Sequence, residues 1–142
     1  MTKQQNRLNM EITDIQQILP IEQCIDLKAK GFNVPVLSFY STHNNSLHSW
    51  AIGKRNYHYI DLFQNHNSFV DRVSAPEFWQ IVEWASLSHN IEIEARPVIF
   101  AGDLKASYYQ PYINGCVANL KKFATRKDAL LEAIKNFIKN NL

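Results

Sequence analysis

The sequence predicts an α+β fold: two layers, about three helices, and an antiparallel sheet with a C-terminal three-stranded meander. Three observations carry the prediction. Residues 91–96 alternate Ile91, Ile93 and Ala95 against Glu92, Glu94 and Arg96, the period-two pattern of a half-buried strand. Asn114-Gly115 is the pair preferred in a two-residue type I′ turn, which makes its flanking strands antiparallel neighbours. Leu130, Ala133, Ile134, Phe137 and Ile138 recur at i, i+3, i+4, i+7 and i+8, the stripe of an amphipathic helix.

Residues 1–10 are polar and aperiodic and read as a mobile leader, which leaves 11–142 as a single domain. Ile12, Ile15, Ile18 and Leu19 are spaced for a turn or two of helix or for a short strand. A helix is expected over 20–30. Pro20 suits its first turn, Ile21, Cys24, Ile25 and Lys28 share a face flanked by Leu27, and Gly31 fits the left-handed position beyond its end. Val34 to Ser41 is β-branched and aromatic with Pro35 near its start, a strand that begins at an edge. Residues 47–52 and 57–63 read as further strands, and 64–75 as polar and weakly periodic.

Ser74-Ala-Pro-Glu77 reads as a capping box opening a helix to about His89, with Phe78, Ile81, Val82 and Ala85 in one stripe. The meander follows as a strand from 91, a short loop at Ala101-Gly-Asp103, a strand over about 104–113 and a return strand over 116–123. Thr125-Arg-Lys-Asp128 caps a last helix over about 126–140.

Composition narrows the class. Of 142 residues 46% are apolar and 20% charged, and 15 basic residues stand against 13 acidic ones. A chain of this length buries enough surface to fold without metal or disulfide. The numbers exclude a collagen-like, disordered or disulfide-stapled chain, and a binder of histone-like charge. The two cysteines, Cys24 and Cys116, form no paired motif and read as small buried apolar residues in a reduced compartment. No apolar run reaches the length of a membrane span, and no signal-peptide core follows the first residues, so the expected location is cytoplasmic, with no membrane partner.

The run Cys24 to Tyr40, CIDLKAKGFNVPVLSFY, contains an L-K-x-K-G-F helix end followed by a proline-containing strand. Farther on come Ala75-Pro76, Val82-Glu-Trp84, His89-Asn-Ile91-Glu-Ile93 and Thr125-x-x-Asp128-Ala129-x-x-x-Ala133-Ile134. Over about residues 20–140 this layout resembles a family of small phage, prophage and mobile-element proteins. The chain departs from that pattern at Ala85, where the family usually has leucine. The shared motifs are caps, turns and core positions. The resemblance therefore implies a mobile-element origin and brings no catalytic residue with it.

The chemistry-bearing residues form no recognisable catalytic set. His43, His48, His58 and His66 fall in one window without metal-motif spacing, and read as solvated positions more readily than as a zinc or nickel site. Glu92 and Glu94 share a strand face and read as solvated charges, and His89 as a helix-end residue. No glycine-flanked serine elbow and no glycine-rich phosphate loop occurs, and no cofactor is expected.

Charge is unevenly spread. Residues 77–103 hold five acids against Arg96, and residues 116–142 hold six bases against Asp128 and Glu132. These patterns point to a non-enzymatic accessory protein, in the mobile-element setting a counter-defence inhibitor, that contacts a host or phage protein. Trp50, Tyr57, Tyr59, Tyr108, Tyr109 and Tyr112 are its candidate partner-binding residues, used together with the hairpin tips. The alternative is nucleic-acid binding through Lys121, Lys122, Arg126 and Lys127, with the tyrosines of 108–112 available for stacking.

Overall fold

The computed structural model describes residues 17–49 and 63–142. Leader residues 1–10, the segment to residue 16, and the strand residues expected over 50–62 lie outside them. The chain divides after Glu77 into two compact units. The class is α+β as expected, with the strands shared between two three-stranded antiparallel sheets.

In the first unit, helix α1 spans Ile21–Ala29, strand β1 Ser38–Ser41, strand β2 Leu47–Ser49 and strand β3 Arg72–Ser74, and a 3-10 turn covers His66–Ser68. Pro20 stands at the N-cap, one position earlier than expected, and its carbonyl accepts the Cys24 N–H at 3.2 Å. The helix ends in a Schellman motif. Gly31 takes φ +84°, Phe32 N–H donates to the Leu27 carbonyl, and Gly31 N–H donates to that of Lys28. Leu27 and Phe32, which bracket this motif, are both buried. The apolar face is narrower than the sequence suggests: Cys24 and Leu27 are buried, whereas Ile25 is half exposed. The sheet order is β2-β1-β3, with Phe39 opposite both His48 and Ser74. Ile18 makes an isolated bridge to Glu77, so the end of the 11–19 segment is extended and not helical.

The expected capping box at Ser74 does not form. Ser74 belongs to β3, its N–H donates to Asn67 Oδ1 at 2.8 Å, and its hydroxyl accepts from Asn67 N–H at 3.1 Å. With both groups engaged, the helix starts four residues later.

In the second unit, helix α2 spans Phe78–His89, strands β4, β5 and β6 span Ile93–Val98, Tyr108–Ile113 and Cys116–Val117, and helix α3 spans Arg126–Asn141. The strands form the meander β4-β5-β6. Asn114 and Gly115 have φ of +50° and +77°, the pair of left-handed residues that a type I′ turn requires. Asn114 also joins the turn to β4, donating its N–H to the Glu92 carbonyl and accepting the Glu92 N–H on its side chain. Thr125 caps α3 as expected, its hydroxyl accepting the Asp128 N–H at 3.1 Å. Asn90, at φ +55°, ends α2 by donating its N–H to the Ser86 carbonyl.

Two strand boundaries differ from expectation. The loop between β4 and β5 covers 99–107, so β5 begins at Tyr108 and not at 104. The return strand leaves the ladder after Val117, although Ala118 N–H still donates to the Pro111 carbonyl at 2.9 Å, and it bridges β5 again where Phe123 meets Tyr109. Between these points Asn119 donates to Glu132 Oε1 and Asn136 donates to the Ala118 carbonyl, which draws the segment toward α3.

Pairing fixes the faces of this sheet. Ile93 lies opposite Ile113, and Ala95 opposite Pro111. Ile93 and Pro111 are buried on the side where α3 packs on β4 and β5. The core of this unit comprises Phe78, Ile81, Ala85, Ile93, Ala129, Ala133, Ile134, Phe137 and Ile138, all buried. Because successive strand residues point to opposite faces, Glu94, Arg96, Val98, Tyr108, Gln110 and Tyr112 occupy the other side.

Candidate functional site

The candidate partner-binding residues do not form one surface. Trp50, Tyr57 and Tyr59 lie outside the described residues. Tyr108 and Tyr112 share the outer face of the second sheet, whereas Tyr109, one residue along β5, faces the helix side. All three tyrosines are partly buried.

Each tyrosine ring carries a cation. Arg96 lies 4.3 Å from the centroid of Tyr112, Lys122 lies 5.0 Å from that of Tyr108, and Arg126 lies 5.6 Å from that of Tyr109. Arg96 also donates to Glu94 from Nε at 3.0 Å and from a terminal nitrogen at 3.2 Å. That pairing holds the Glu94 carboxyl below its ordinary range. Lys121, Lys122, Arg126 and Lys127 are all exposed, and none makes an ion pair with a described residue. The structure thus joins two members of each candidate set, Lys122 on Tyr108 and Arg126 on Tyr109.

The β4–β5 loop supplies a feature that periodicity could not find. Phe100 accepts the Asp103 N–H on its carbonyl, and Gly102 at the third position of this four-residue turn has φ +91°. A left-handed third residue is the mark of a type II turn, which explains the glycine. Ser107 N–H closes the loop on the Val98 carbonyl at 2.8 Å. The loop displays apolar side chains: Ile99 is 54% exposed, Phe100 55% and Leu104 100%. Phe100 meets Tyr108 edge to face, with centroids 6.3 Å apart. The apolar tip is therefore continuous with the tyrosine-bearing face. The sequence predicts a half-buried strand that runs through Ile99 and Phe100, whereas β4 ends at Val98 and both residues stand exposed on the loop.

Comparison with known protein families, curated proteins and solved structures finds no significant match to this chain. The site is therefore judged on its own chemistry.

The histidine window does not assemble. His43 and His48 are exposed, His58 lies outside the described residues, and His66 is fully buried, against the expectation of solvated positions. Among the described residues no three His, Cys, Asp or Glu side chains cluster as metal ligands would. Glu92 is exposed and accepts the Ser86 hydroxyl at 2.6 Å, so the two carboxylates of this strand region have separate partners. His89 ends α2 and packs edge-on against Trp84 and Phe137.

Of the cysteines, Cys24 is buried as expected and its thiol donates to the Leu19 carbonyl. Burial, with Glu22 nearby, pushes that thiol far above its usual range and leaves it unreactive. Cys116 is exposed, against expectation, because β6 is short and its residues face solvent. No helix among the described residues is long and apolar enough to cross a membrane.

Proposed function

We propose that the chain is a non-enzymatic binding protein that acts through protein–protein contact, with the β4–β5 tip and the adjoining outer face of the second sheet as its recognition surface. The apolar tip carries this reading. Ile99, Phe100 and Leu104 stand exposed together on a closed loop, where ordinary surface loops carry polar residues. Hydrogen bonds across the loop fix its backbone before binding, so a partner meets a largely preformed apolar knob. Arg96, Lys105 and Lys122 lie on or beside the same elements and suit a partner with an acidic rim. In the mobile-element setting that the sequence resemblance implies, the partner is a host or phage protein and the action is occlusion, as of a counter-defence inhibitor. The test is affinity capture with the full chain, comparing wild type with a Phe100→Asp, Leu104→Asp variant. A partner retained by wild type and lost by the variant supports the reading, and equal recovery refutes it.

A second reading has its own observation. Lys122 and Arg126 rest on tyrosine rings, and Lys121 and Lys127 extend the exposed basic cluster. With the ring faces engaged by cations, this surface suits phosphate contact better than base stacking. It predicts sequence-independent nucleic-acid binding that weakens steeply with salt and is lost in Lys121→Glu, Lys122→Glu. No mobility shift at low salt removes it.

A further inference from the structure

The first unit contains a buried histidine that neither functional reading uses. His66 is fully buried at the start of the 3-10 turn, and Asn65 caps that turn through its side chain. Its Nδ1 lies 3.3 Å from a terminal nitrogen of Arg72. A guanidinium only donates, so Nδ1 is the acceptor and the ring is neutral, with its proton on Nε2. That Nε2 is buried with no hydrogen-bond partner of good geometry among the described residues, although the Val36 backbone lies close enough to favour the charged ring. The guanidinium itself is sandwiched, 4.5 Å from the Phe39 centroid and 4.3 Å from that of Phe69. Phe39 also packs on the His66 ring, at 4.7 Å.

We propose that His66 and Arg72 form an acid-released latch on the 66–72 loop, closed while His66 is neutral and opened when it takes a proton. Protonation at Nδ1 removes the acceptor that Arg72 uses there and puts a second cation 3.3 Å from the first in a buried place. Among the described residues one surrounding group, the Val36 backbone, favours the charged ring, and no carboxylate does. From α1, Lys28 brings a further positive charge, its ammonium donating to the Phe69 and Arg72 carbonyls at 2.9 and 2.6 Å. From β2, His48 stacks on the same Phe39 ring. From the segment before β1 comes Val36, whose backbone favours the charged form and is the smallest of the three influences on His66. No carboxylate among the described residues pairs with Arg72. Burial first, and the Arg72 charge second, hold His66 below the ordinary histidine range. Opening would free a loop whose outer residues are already apolar, with Phe69 42% and Val70 95% exposed.

The linkage has a definite direction. Above a pH of about 6.5 the histidine is neutral both folded and unfolded, and the latch costs nothing. Below it the unfolded chain binds a proton that the closed latch refuses, and the closed state weakens until pH passes the lowered value of His66. The experiment measures urea unfolding from pH 7 to 5 for wild type and for His66→Asn, whose side-chain oxygen keeps an acceptor near the Nδ1 position without titrating. The wild-type unfolding constant should rise roughly tenfold more than that of the variant over this range. Equal pH dependence overturns the proposal. Should the variant not fold, histidine NMR of the wild type decides. The His66 ring signal should titrate below the ordinary histidine range and shift together with the Arg72 side chain and the 66–72 amides. An ordinary titration near 6.5 with those signals unmoved contradicts the latch.

Discussion

The two units are held together by different means. The second is built on periodic apolar burial, with Ala129, Ala133, Ile134, Phe137 and Ile138 forming one face of α3 above Ile93 and Pro111. The first has short strands and is fastened by polar side chains that reach main-chain groups. Asn67 donates to the Phe32 carbonyl at 2.8 Å and exchanges two bonds with Ser74. Lys28 spans two carbonyls of the 69–72 segment, and the Tyr40 hydroxyl donates to that of Leu19. Burial pushes the Tyr40 hydroxyl up to about 12. A unit fastened in this way responds to charge and pH, whereas one built on burial responds to side-chain volume.

Substitutions can break or sharpen that contrast. The largest effect is expected from Phe137→Ala, which removes a fully buried ring that meets Trp84 and His89 edge-on. Loss of about 3–5 kcal/mol in urea unfolding is expected. Asn67→Ala in the first unit comes next, at about 2–3 kcal/mol, because it removes the hydrogen bonds that the Asn67 side chain makes with the Ser74 N–H and the Phe32 carbonyl. A loss under about 0.5 kcal/mol there would show that polar fastening does not distinguish the first unit. Thr125→Ala removes the α3 cap and should cost about 1 kcal/mol, read from the same unfolding curve. Gly115→Ala places a Cβ at φ +77° in open space, so only backbone strain opposes it, and a loss of about 1 kcal/mol is expected by thermal unfolding.

The same contrast explains what the sequence revealed. Elements of the second unit were legible because their signals are local: the Thr125 cap, the Asn114-Gly115 turn and the apolar stripe of α3 each specify their own geometry. The Gly31 helix end was legible for the same reason. The Ser74 capping box misled because its signal was overridden at long range. Asn67, seven residues earlier, takes both the Ser74 N–H and its hydroxyl, and β1 pairs with its backbone. His66 looked like one of several solvated histidines because nothing in its neighbours announces the Phe39 and Arg72 side chains that enclose it. The candidate tyrosines and bases were found individually. Their pairing across β5 and the 118–126 segment depends on the Tyr109–Phe123 bridge, which no periodicity encodes.

The central claim is that the β4–β5 tip makes a protein contact. Its most direct measurement is quantitative affinity capture from extract of the native host, run in parallel for wild type, Phe100→Asp with Leu104→Asp, and Lys121→Glu with Lys122→Glu. The account predicts one protein partner held by wild type and by the lysine variant at moderate salt, and lost by the tip variant. A partner that survives the tip substitutions, or nucleic acid that leaves with the lysines, would contradict it.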